Sequence, residues 1–347
     1  MTHLANKKNK EELKAEIMAS TEKRLTISFY TYHPIEDPQQ FRDDFYKLMD
    51  ECGVLGRIYV AAEGINAQIS VPYREFVHFE KTLESIPFLN GIRLNMAIED
   101  DGKSFYVLKI KVRNKIVADG IEDPKFDPTD IGVHVDAEKF NELTSEEGTV
   151  LIDMRNHYES EVGHFEGAWC PDVDTFREQL PLVADELEDQ KDRKIVMYCT
   201  GGIRCEKASA YMRYKGFENV YQLNGGIINY TRQVREKGLP NKFHGKNFVF
   251  DERLEERITD DVIAHCHKCG SPFDHHTNCS NKACNLLFIQ CPECAEKYQG
   301  CCSDECKDIA SLPEDEQKKI RKSKDSGIRI FSKGRFDKED QSSNASK

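Results

Sequence analysis

The stretch that most restricts the fold is KIVMYCTGGIRC, residues 194–205, in which an apolar run leads into a cysteine and a two-glycine loop. The run predicts a buried strand, and the residues from about Cys205 predict a helix. A short apolar strand that leads through a glycine loop into a helix is the repeating unit of a parallel α/β sheet. Two more apolar runs, TVLIDM (149–154) and NVYQL (219–223), alternate with helix-like segments in the same way. An α/β domain is therefore predicted over residues 134–240.

The chemistry of this segment centres on Cys199, at the carboxyl end of the predicted strand, where open parallel sheets bind ligands. Gly201 and Gly202 let successive backbone N–H groups turn inward as a nest for an anion, and the helix adds the positive end of its dipole. Arg204 brings a fixed positive charge. Since each feature favours the thiolate, we expect Cys199 to have a depressed pKa and to act as a nucleophile. The alternative, a buried cysteine that only packs, does not explain the glycine pair and the arginine together.

The spacing within the loop distinguishes between two types of domain that place a cysteine in such a loop. Cys199 and Arg204 are separated by four residues, the predicted active-site loop of Thr200, Gly201, Gly202 and Ile203. Protein phosphatases with a similar loop have five residues there, and the shorter cradle resembles that of rhodaneses, whose cysteine carries a persulfide. LIDMRNHYESEVGHFEGAW (151–169) also resembles the D-x-R…E…G-H-x-x-G-A signature of rhodaneses, and VYQLNGGIINY (220–230) resembles their closing L-x-G-G segment. The resemblance implies a rhodanese-like domain.

Three residues near the loop are expected to support it. Asp153 and Arg155 are predicted to pair, or to bind loop backbone, and so to hold the loop from behind. Cys205 has two interpretations: it resolves an oxidised or sulfurated Cys199, or it is a packed core residue. His164 and Glu166 form an H-x-E pair of the kind that begins an iron site, but a structural turn is favoured because no third histidine accompanies them.

The chain on either side of the α/β unit has its own organisation. Strand-like and helix-like segments in the order β-α-β-β-α-β predict a ferredoxin-like (split βαβ, acylphosphatase-like) domain over 24–113, an α+β unit. Its expected strands cover 24–32, two stretches within 56–71, 92–98 and 104–112. Its expected helices cover 38–53 and 73–86. A charged N-terminal arm over 1–23 precedes it, and a linker rich in Pro, Asp and Gly follows over 114–133.

A cysteine-rich domain is predicted over 241–311, followed by a charged, largely disordered tail over 312–347. Its C-x-x-C pairs have the spacing at which two thiolates share one tetrahedral ion. Nine cysteines suffice for two structural zinc sites with one left over, although treble-clef and ribbon pairings both fit; an iron–sulfur cluster is the weaker alternative. The predicted ligands are Cys266, Cys269, Cys279, Cys284, Cys291, Cys294, Cys301 and Cys306.

Charge and hydropathy exclude several classes of function. The formal net charge of −12 argues against a sequence-blind, electrostatically driven nucleic-acid binder. No segment approaches the roughly 20 apolar residues of a membrane-spanning helix, and the polar start lacks a signal-peptide pattern, so we expect a cytoplasmic protein without a membrane partner. Thirteen cysteines then favour metal ligands and reactive thiols over disulfides. VLKIKVRNK (107–115) places Lys109, Lys111 and Arg113 on one strand face, as RNA contacts or as ordinary solvated side chains.

GRIYVAAEGINAQIS, CTGGIRC and FIQCPECAEKYQGCCSDEC, in this order, together resemble the tRNA uridine hydroxylase family over about residues 24–310. The resemblance implies oxygen-dependent 5-hydroxylation of the wobble uridine, position 34, in the anticodon loop of bacterial tRNA. Molecular oxygen would be the co-substrate, and Cys199 would be the required cysteine. The residues alone do not reach hydroxylation, since we find no dinucleotide or flavin motif. They equally suit a sulfurtransferase that passes persulfide sulfur from Cys199 to a macromolecular or small acceptor.

Two roles for Cys199 fit the hydroxylase interpretation. Its thiolate can add to C6 of the uracil ring and make C5 electron-rich enough to react with oxygen, after which elimination restores the ring. A persulfide or sulfenate on Cys199 can instead be the redox-active species. The electron donor, the set of tRNAs and the oligomeric state are open at this level.

Overall fold

The computed structural model describes residues 10–323, so most of the predicted tail and the first nine residues of the predicted arm lie outside the described residues. The helices are α1 Lys10–Ala19, α2 Pro38–Glu51, α3 Phe76–Glu84, α4 Ala137–Leu143, α5 His157–Glu161, α6 Phe176–Glu186, α7 Ile203–Tyr214, α8 Gly226–Lys237, α9 Pro292–Tyr298, α10 Asp304–Ala310 and α11 Glu314–Ser323. The strands are β1 Arg24–Tyr32, β2 Leu55–Ala61, β3 Gly64–Pro72, β4 Asn95–Met96, β5 Leu108–Val112, β6 Val133–Val135, β7 Val150–Asp153, β8 Gly163–Phe165, β9 Lys194–Tyr198, β10 Asn219–Leu223, β11 Phe243–Phe248, β12 Glu255–Arg257, β13 His276–Asn278 and β14 Leu287–Ile289. Short 3-10 turns lie at Tyr73–Glu75, Pro87–Leu89 and Glu188–Gln190.

The N-terminal domain is a five-stranded sheet in the order β4-β1-β3-β2-β5. The first four strands are antiparallel to their neighbours, and β5 joins β2 in parallel. Side chains alternate across the sheet, so that Ile27 and Phe29 pack into the core with α2 and α3 while Ser28 and Tyr30 lie on the other face. The order of the first four strands confirms the predicted split βαβ arrangement.

Three elements of this domain differ from the expected lengths. The strand expected over 92–98 is only β4, because Asp100 accepts the backbone N–H of Thr26 with its side chain and replaces the next ladder bond to β1. The strand expected over 104–112 begins only at Leu108. The helix expected over 73–86 opens with a 3-10 turn before α3.

The central domain is a parallel four-stranded sheet in the order β6-β10-β9-β7. Strand β9 is buried on both faces: Ile195 and Met197 pack with α6 and α7, and Val196 and Tyr198 pack with α4 and α8. A strand covered by helices on both sides has no polar face, which explains its continuous apolar run. The predicted α/β class is confirmed for this unit.

The C-terminal segment is attached to the central domain through its sheets. Strand β11 pairs antiparallel with β8 of the central domain and with β12, and β13 pairs with β14 farther along the chain. The helices α9 and α10 follow, among the cysteines. Within residues 10–323, no helix has the length and apolar content needed to cross a membrane.

The N-terminal sheet lies with its polar face against the carboxyl edge of the central sheet. The hydroxyl of Tyr32 donates to the carbonyl of Ile203 at the start of α7, at 3.3 Å. The ammonium of Lys207, which is 3% exposed, lies 2.6 Å from Glu63 of the β2–β3 turn. These contacts bring residues of two domains to the loop that carries Cys199.

Candidate active site

The loop after β9 wraps around the Cys199 sulfur. Cys199 is completely buried, and the amide of Gly202 donates to its Sγ at an N···S distance of 3.1 Å. Gly202 has φ +102° and precedes α7, a left-handed conformation that glycine adopts without steric cost. From the other side, the amide of Ile227 at the start of α8 donates to the Cys199 carbonyl, at 3.0 Å. Of the inward-turned amides expected from the two glycines, that of Gly202 donates to the sulfur.

The electrostatic surroundings favour the ionised form of this thiol. Burial opposes ionisation, but the Cys205 thiol, the Arg204 guanidinium and the amides of Cys205 and Gly202 outweigh it and lower the pKa of Cys199 to about 6. Burial and the charge of Cys199 raise the pKa of Cys205 well above its ordinary value. Cys205 is completely buried in the core of the central domain, and its role as a resolving thiol stays a prediction.

Arg204 is held by an acidic residue that the sequence reasoning did not single out. Its guanidinium bonds both carboxylate oxygens of Glu159 on α5, at 2.6 and 2.8 Å. The Glu159 side chain is fully buried and that of Arg204 is 11% exposed. The only sequence signal for Glu159 is the acidic residue after D-x-R in the rhodanese-like signature. Arg204 therefore acts as a fixed charge beside the loop.

The two predicted supporting residues lie behind β9. Arg155 and Asp153 form an ion pair at 2.6 Å with both side chains fully buried. The hydroxyl of Tyr198, on β9, donates to the same carboxylate at 2.8 Å. Arg155 also donates to the carbonyl of Gly163, at 2.6 Å. The pair connects β7, β9 and β8 beneath the loop. His164 lies on strand β8 instead of in the expected turn, and its Nδ1 is 2.9 Å from the Ser160 carbonyl.

A cavity of about 410 Å³ lies between the two domains, with Cys199 in its wall. This volume is in the range of small-molecule pockets. One side is the polar face of the N-terminal sheet, and the opposite side is the loop after β11. The polar and aromatic side chains in its wall include Ser28, Tyr30, Asn66, Gln68, Phe250 and Arg253.

A hydrogen-bonded chain runs from this cavity to the surface. The Tyr30 hydroxyl donates to Glu206 Oε1, at 3.1 Å. His134 Nε2 lies 2.9 Å from the same oxygen, and its side chain is 36% exposed. The sequence offered Tyr30 only as a side chain that could stack on a base, and it gave no sign of the link to Glu206, because the two residues are 176 positions apart and belong to different domains.

The three basic residues predicted as RNA contacts lie at the edge of the same sheet face. Lys109, Lys111 and Arg113, together the basic stripe, are all exposed. In the ladder, Lys109 lies beside Arg57 and Lys111 beside Tyr59, both of which line the cavity. The Arg113 guanidinium lies 5.5 Å from the centre of the Tyr59 ring. The basic stripe thus continues the wall of the cavity outward.

The cysteines of the C-terminal segment form two groups of four thiols, each close enough to hold one metal ion. The sulfurs in each group lie within 4.8 Å of one another. The first group is Cys266, Cys269, Cys291 and Cys294, and the second is Cys279, Cys284, Cys302 and Cys306. Four thiols fit a tetrahedral ion and fill all of its positions, as in structural sites.

The prediction that Cys301 is a ligand is corrected by this grouping. Its thiol points to the Gln299 carbonyl, at 3.8 Å, and lies outside both groups. Cys302 takes its place, with its sulfur 3.6 Å from that of Cys284 and 3.7 Å from that of Cys306. Cys306 lies in the first turn of α10, four residues after Cys302, and the fold there turns both thiols inward. The sequence alone does not show which of two adjacent cysteines is the metal ligand, because that depends on the local path of the backbone.

Comparison with known families and proteins agrees with this architecture. Residues 24–116 match the UPF0176 acylphosphatase like domain, residues 136–233 the rhodanese-like domain, and residues 244–307 the family described as rhodanase C-terminal. A protein of Pectobacterium carotovorum subsp. carotovorum named tRNA uridine(34) hydroxylase is 58% identical over 96% of this chain and 95% of its own. A Yersinia pestis protein of the same name is 57% identical over the same shares. The solution structure of a rhodanese-like domain from Anabaena sp. matches 32% of this chain and 78% of its own, at 22% identity and a TM-score of 0.26.

Proposed function

Since the chain belongs to the tRNA uridine(34) hydroxylase family, we propose that it hydroxylates uridine 34 of tRNA at C5, with Cys199 as the nucleophile. The observation that carries the assignment of Cys199 is its buried sulfur, whose pKa is lowered to about 6, in the wall of a cavity between two domains. A wobble base is single-stranded in the anticodon loop and can be turned into such a cavity at modest cost. A tRNA substrate also supports a cytoplasmic location, which we propose for the protein.

The reaction begins with addition of the Cys199 thiolate to C6 of the uracil ring. The electron pair of the C5–C6 double bond moves to C5 and O4, and C5 then forms a bond to dioxygen and takes up a proton as a hydroperoxide. A two-electron reductant of the thiol class, which becomes a disulfide, cleaves the peroxide to a C5 hydroxyl and water. Loss of the C5 proton with cleavage of the C6–S bond restores the ring and the thiolate. Uridine, dioxygen, two electrons and two protons thus give 5-hydroxyuridine and water.

The chain's own residues hold this chemistry in place. The Gly202 amide and Arg204 stabilise the sulfur as a thiolate before addition and after elimination. Amide side chains of Asn66 and Gln68, in the cavity wall, supply donors and acceptors for the uracil edge. A site whose polar groups pair with its substrate rejects a base that leaves them unpaired.

The basic stripe supports binding of the rest of the anticodon arm. It lies on the same sheet face as the cavity, so phosphates on either side of the inserted base would meet Lys109, Lys111 and Arg113. Phosphate contacts fix the register of a nucleic acid on a protein without reading its sequence. A local stripe of this kind makes tRNA binding compatible with a net charge of −12.

Structural zinc is the metal we propose for the two groups of four cysteines. Thiolates are strong ligands of zinc, and a site filled by four of them leaves no position for substrate. The same C-terminal segment contains Phe250 and Arg253, which line the cavity. The ions would therefore support the reaction by stabilising the fold of that wall.

The test is nucleoside analysis of tRNA from cells that lack this protein and carry a plasmid copy. The wild-type copy should restore 5-hydroxyuridine derivatives, and Cys199→Ala should not. Cys170→Ala is the matched control, because burial raises the pKa of this partly exposed thiol to about 12 and it lies outside the cavity wall. Loss of thiolated nucleosides alone would favour the sulfurtransferase.

Covalent trapping tests the mechanism. A tRNA with 5-fluorouridine at position 34 has no C5 proton to lose, so the thioether should persist and appear as a protein–RNA band on a denaturing gel. Turnover of normal tRNA without such a band would favour a persulfide or sulfenate on Cys199 instead. Mass spectrometry of the Cys199 peptide, taken during turnover, identifies either species.

A further inference from the structure

We propose that the Tyr30 hydroxyl, supplied by the N-terminal domain, accepts the proton that leaves C5 of the base and passes its own proton to Glu206. This inference rests on the proposed function and assigns one step of it, the final elimination, to a residue outside the central domain. It makes Tyr30 a catalytic residue and Glu206 a positioning residue that also receives the proton.

The position of the hydroxyl is the first argument. Tyr30 lines the cavity together with Cys199, and its hydroxyl lies so close to the loop that a Cβ added at Gly202 would be 2.7 Å from it. The amide of that glycine donates to the Cys199 sulfur. A base bonded through C6 to this sulfur has its C5 one bond farther into the cavity, within reach of the tyrosine.

The second argument is the path that leads the proton away. Tyr30 donates its hydroxyl hydrogen to Glu206 Oε1, so its oxygen lone pairs remain available toward the cavity. Glu206 is further bonded by His134 at one oxygen and by the amide of Gln222 at the other, at 2.9 and 3.3 Å. His134 is partly exposed and completes a route from the cavity to solvent.

The tyrosine is suited to relay a proton because it stays neutral. Burial, followed by the negative charges of Glu206 and Cys199, raises the pKa of Tyr30 well above 10. A phenolate would repel the thiolate, whereas a neutral hydroxyl beside a carboxylate can accept one proton as it gives up another. The surrounding charges thus favour a relay over a free base.

The other acidic groups in the described wall of the cavity are already engaged. Asp251 bonds the Arg253 guanidinium at 2.6 Å, and Glu256 bonds the same group at 2.7 Å. Glu256 also accepts the backbone N–H of Ile98, at 3.0 Å. Neither carboxylate has a hydrogen-bonded route of the kind that links Tyr30 to His134.

In the assigned step the C5–H bond breaks, and its electron pair forms the C5–C6 double bond. The C6–S bond breaks at the same time, and its electron pair returns to Cys199 as the thiolate. The proton from C5 goes to the Tyr30 oxygen while the phenol proton goes to Glu206, and from there to solvent through His134. No net oxidation or reduction occurs in this step.

The test compares Tyr30→Phe with Tyr32→Phe under single-turnover conditions. Tyr32 is on the same strand, its ring is 6.3 Å from that of Tyr30, and its hydroxyl bonds the Ile203 carbonyl, but it lies outside the cavity wall. We expect Y30F to form 5-hydroxyuridine about 10²- to 10⁴-fold more slowly, the usual loss for a general acid–base group. Y32F loses the bond to the Ile203 carbonyl but no group in the cavity wall, so it should form 5-hydroxyuridine without accumulating an adduct.

The species that accumulates separates catalysis from folding. Y30F should accumulate a protein–RNA adduct with ordinary uridine tRNA, and deuterium at C5 should slow its decay further. Turnover by Y30F equal to that of Y32F, or slow turnover without an adduct, would overturn the assignment. If the wild type turns over normal tRNA but gives no adduct with 5-fluorouridine tRNA, the covalent mechanism fails, and if Cys199→Ala stays active, the proposed role of Cys199 fails.

Discussion

Removal of Arg204 should change both the stability of the fold and the reactivity of Cys199. Arg204→Met removes both bonds between the guanidinium and the Glu159 carboxylate, whose side chain is completely buried. Breaking a buried ion pair from one side costs about 3–5 kcal/mol, because the remaining charge is unpaired. We expect the free energy of unfolding of Arg204→Met to fall by that amount.

The double variant Arg204→Met/Glu159→Gln separates the two effects. It has no buried charge at this site, so most of the lost stability should return. The Cys199 thiol should not recover in the same way, since the positive charge that favours its thiolate is still missing. The pKa of Cys199 should therefore rise from wild type to the double variant, and rise further in Arg204→Met, where Glu159 adds an unpaired negative charge.

Two assays check this order. Urea unfolding gives the stabilities, and mass spectrometry of the Cys199 peptide after timed alkylation at several pH values gives the thiol pKa. With a pKa of about 6, about nine-tenths of the wild-type thiol is ionised at neutral pH, against a few per cent for an ordinary cysteine of pKa about 8.5. A thiol pKa unchanged in both variants would refute the role of Arg204. Equal stability of the single and double variants would refute the cost assigned to Glu159.

Three further outcomes are expected. Cys302→Ala should lower bound zinc, measured by elemental analysis, from two ions per chain to one, and Cys301→Ala should leave two; the reverse result would contradict the ligand grouping. Replacing the three residues of the basic stripe by glutamines should reduce the slope of log Kd for tRNA against log salt by about 2–3. Lys47 is exposed on α2, on the opposite face of the sheet, so Lys47→Gln should leave the slope unchanged. Equal slopes for the two variants would exclude the stripe from the interface. Gly226→Ala and Gly238→Ala both place alanine at φ +64°, which costs about 1–2 kcal/mol. Only at Gly226 does the added Cβ collide with the carbonyls of the active loop, at 2.4 Å, so only this variant should also slow alkylation of Cys199; equal alkylation rates would contradict the reasoning.

The parts of the fold that the sequence predicted well are those encoded by local periodicity. The strand expected over RLTISFYTY forms β1 with the same bounds, Arg24–Tyr32, and the continuous run KIVMY marks a strand covered on both faces. The strand expected over 92–98 was too long because its end is set by the Asp100 side chain, which bonds β1 from outside the strand. A side chain that replaces a strand as the acceptor of a backbone N–H leaves no periodic pattern in the sequence.

The same distinction separates the site residues that the sequence predicted from those that it did not. Cys199, the glycine loop and Arg204 were found because they follow one another in the chain, as the two C-x-x-C pairs do. Glu159 and Glu206 look like ordinary surface acids in the sequence, yet the first is completely buried against Arg204 and the second is shared by Tyr30 and His134. Their roles come from the packing of helices and domains.

The sequence by itself determined the strand–loop–helix that presents a thiol to a ring of amides, since those contacts lie within a few residues of each other. Only the tertiary structure decided what faces that thiol. A sheet from another domain brings Tyr30 to the active-site loop, although Tyr30 and its partner Glu206 are 176 positions apart in the chain. In the C-terminal segment, the path of the chain into α10 makes Cys302 a ligand instead of its neighbour Cys301. Hydrophobic patterning specifies which face of an element is buried, but it does not specify which distant face it meets. That choice depends on the shapes of complete domains, and it supplies most of the groups around the reactive sulfur.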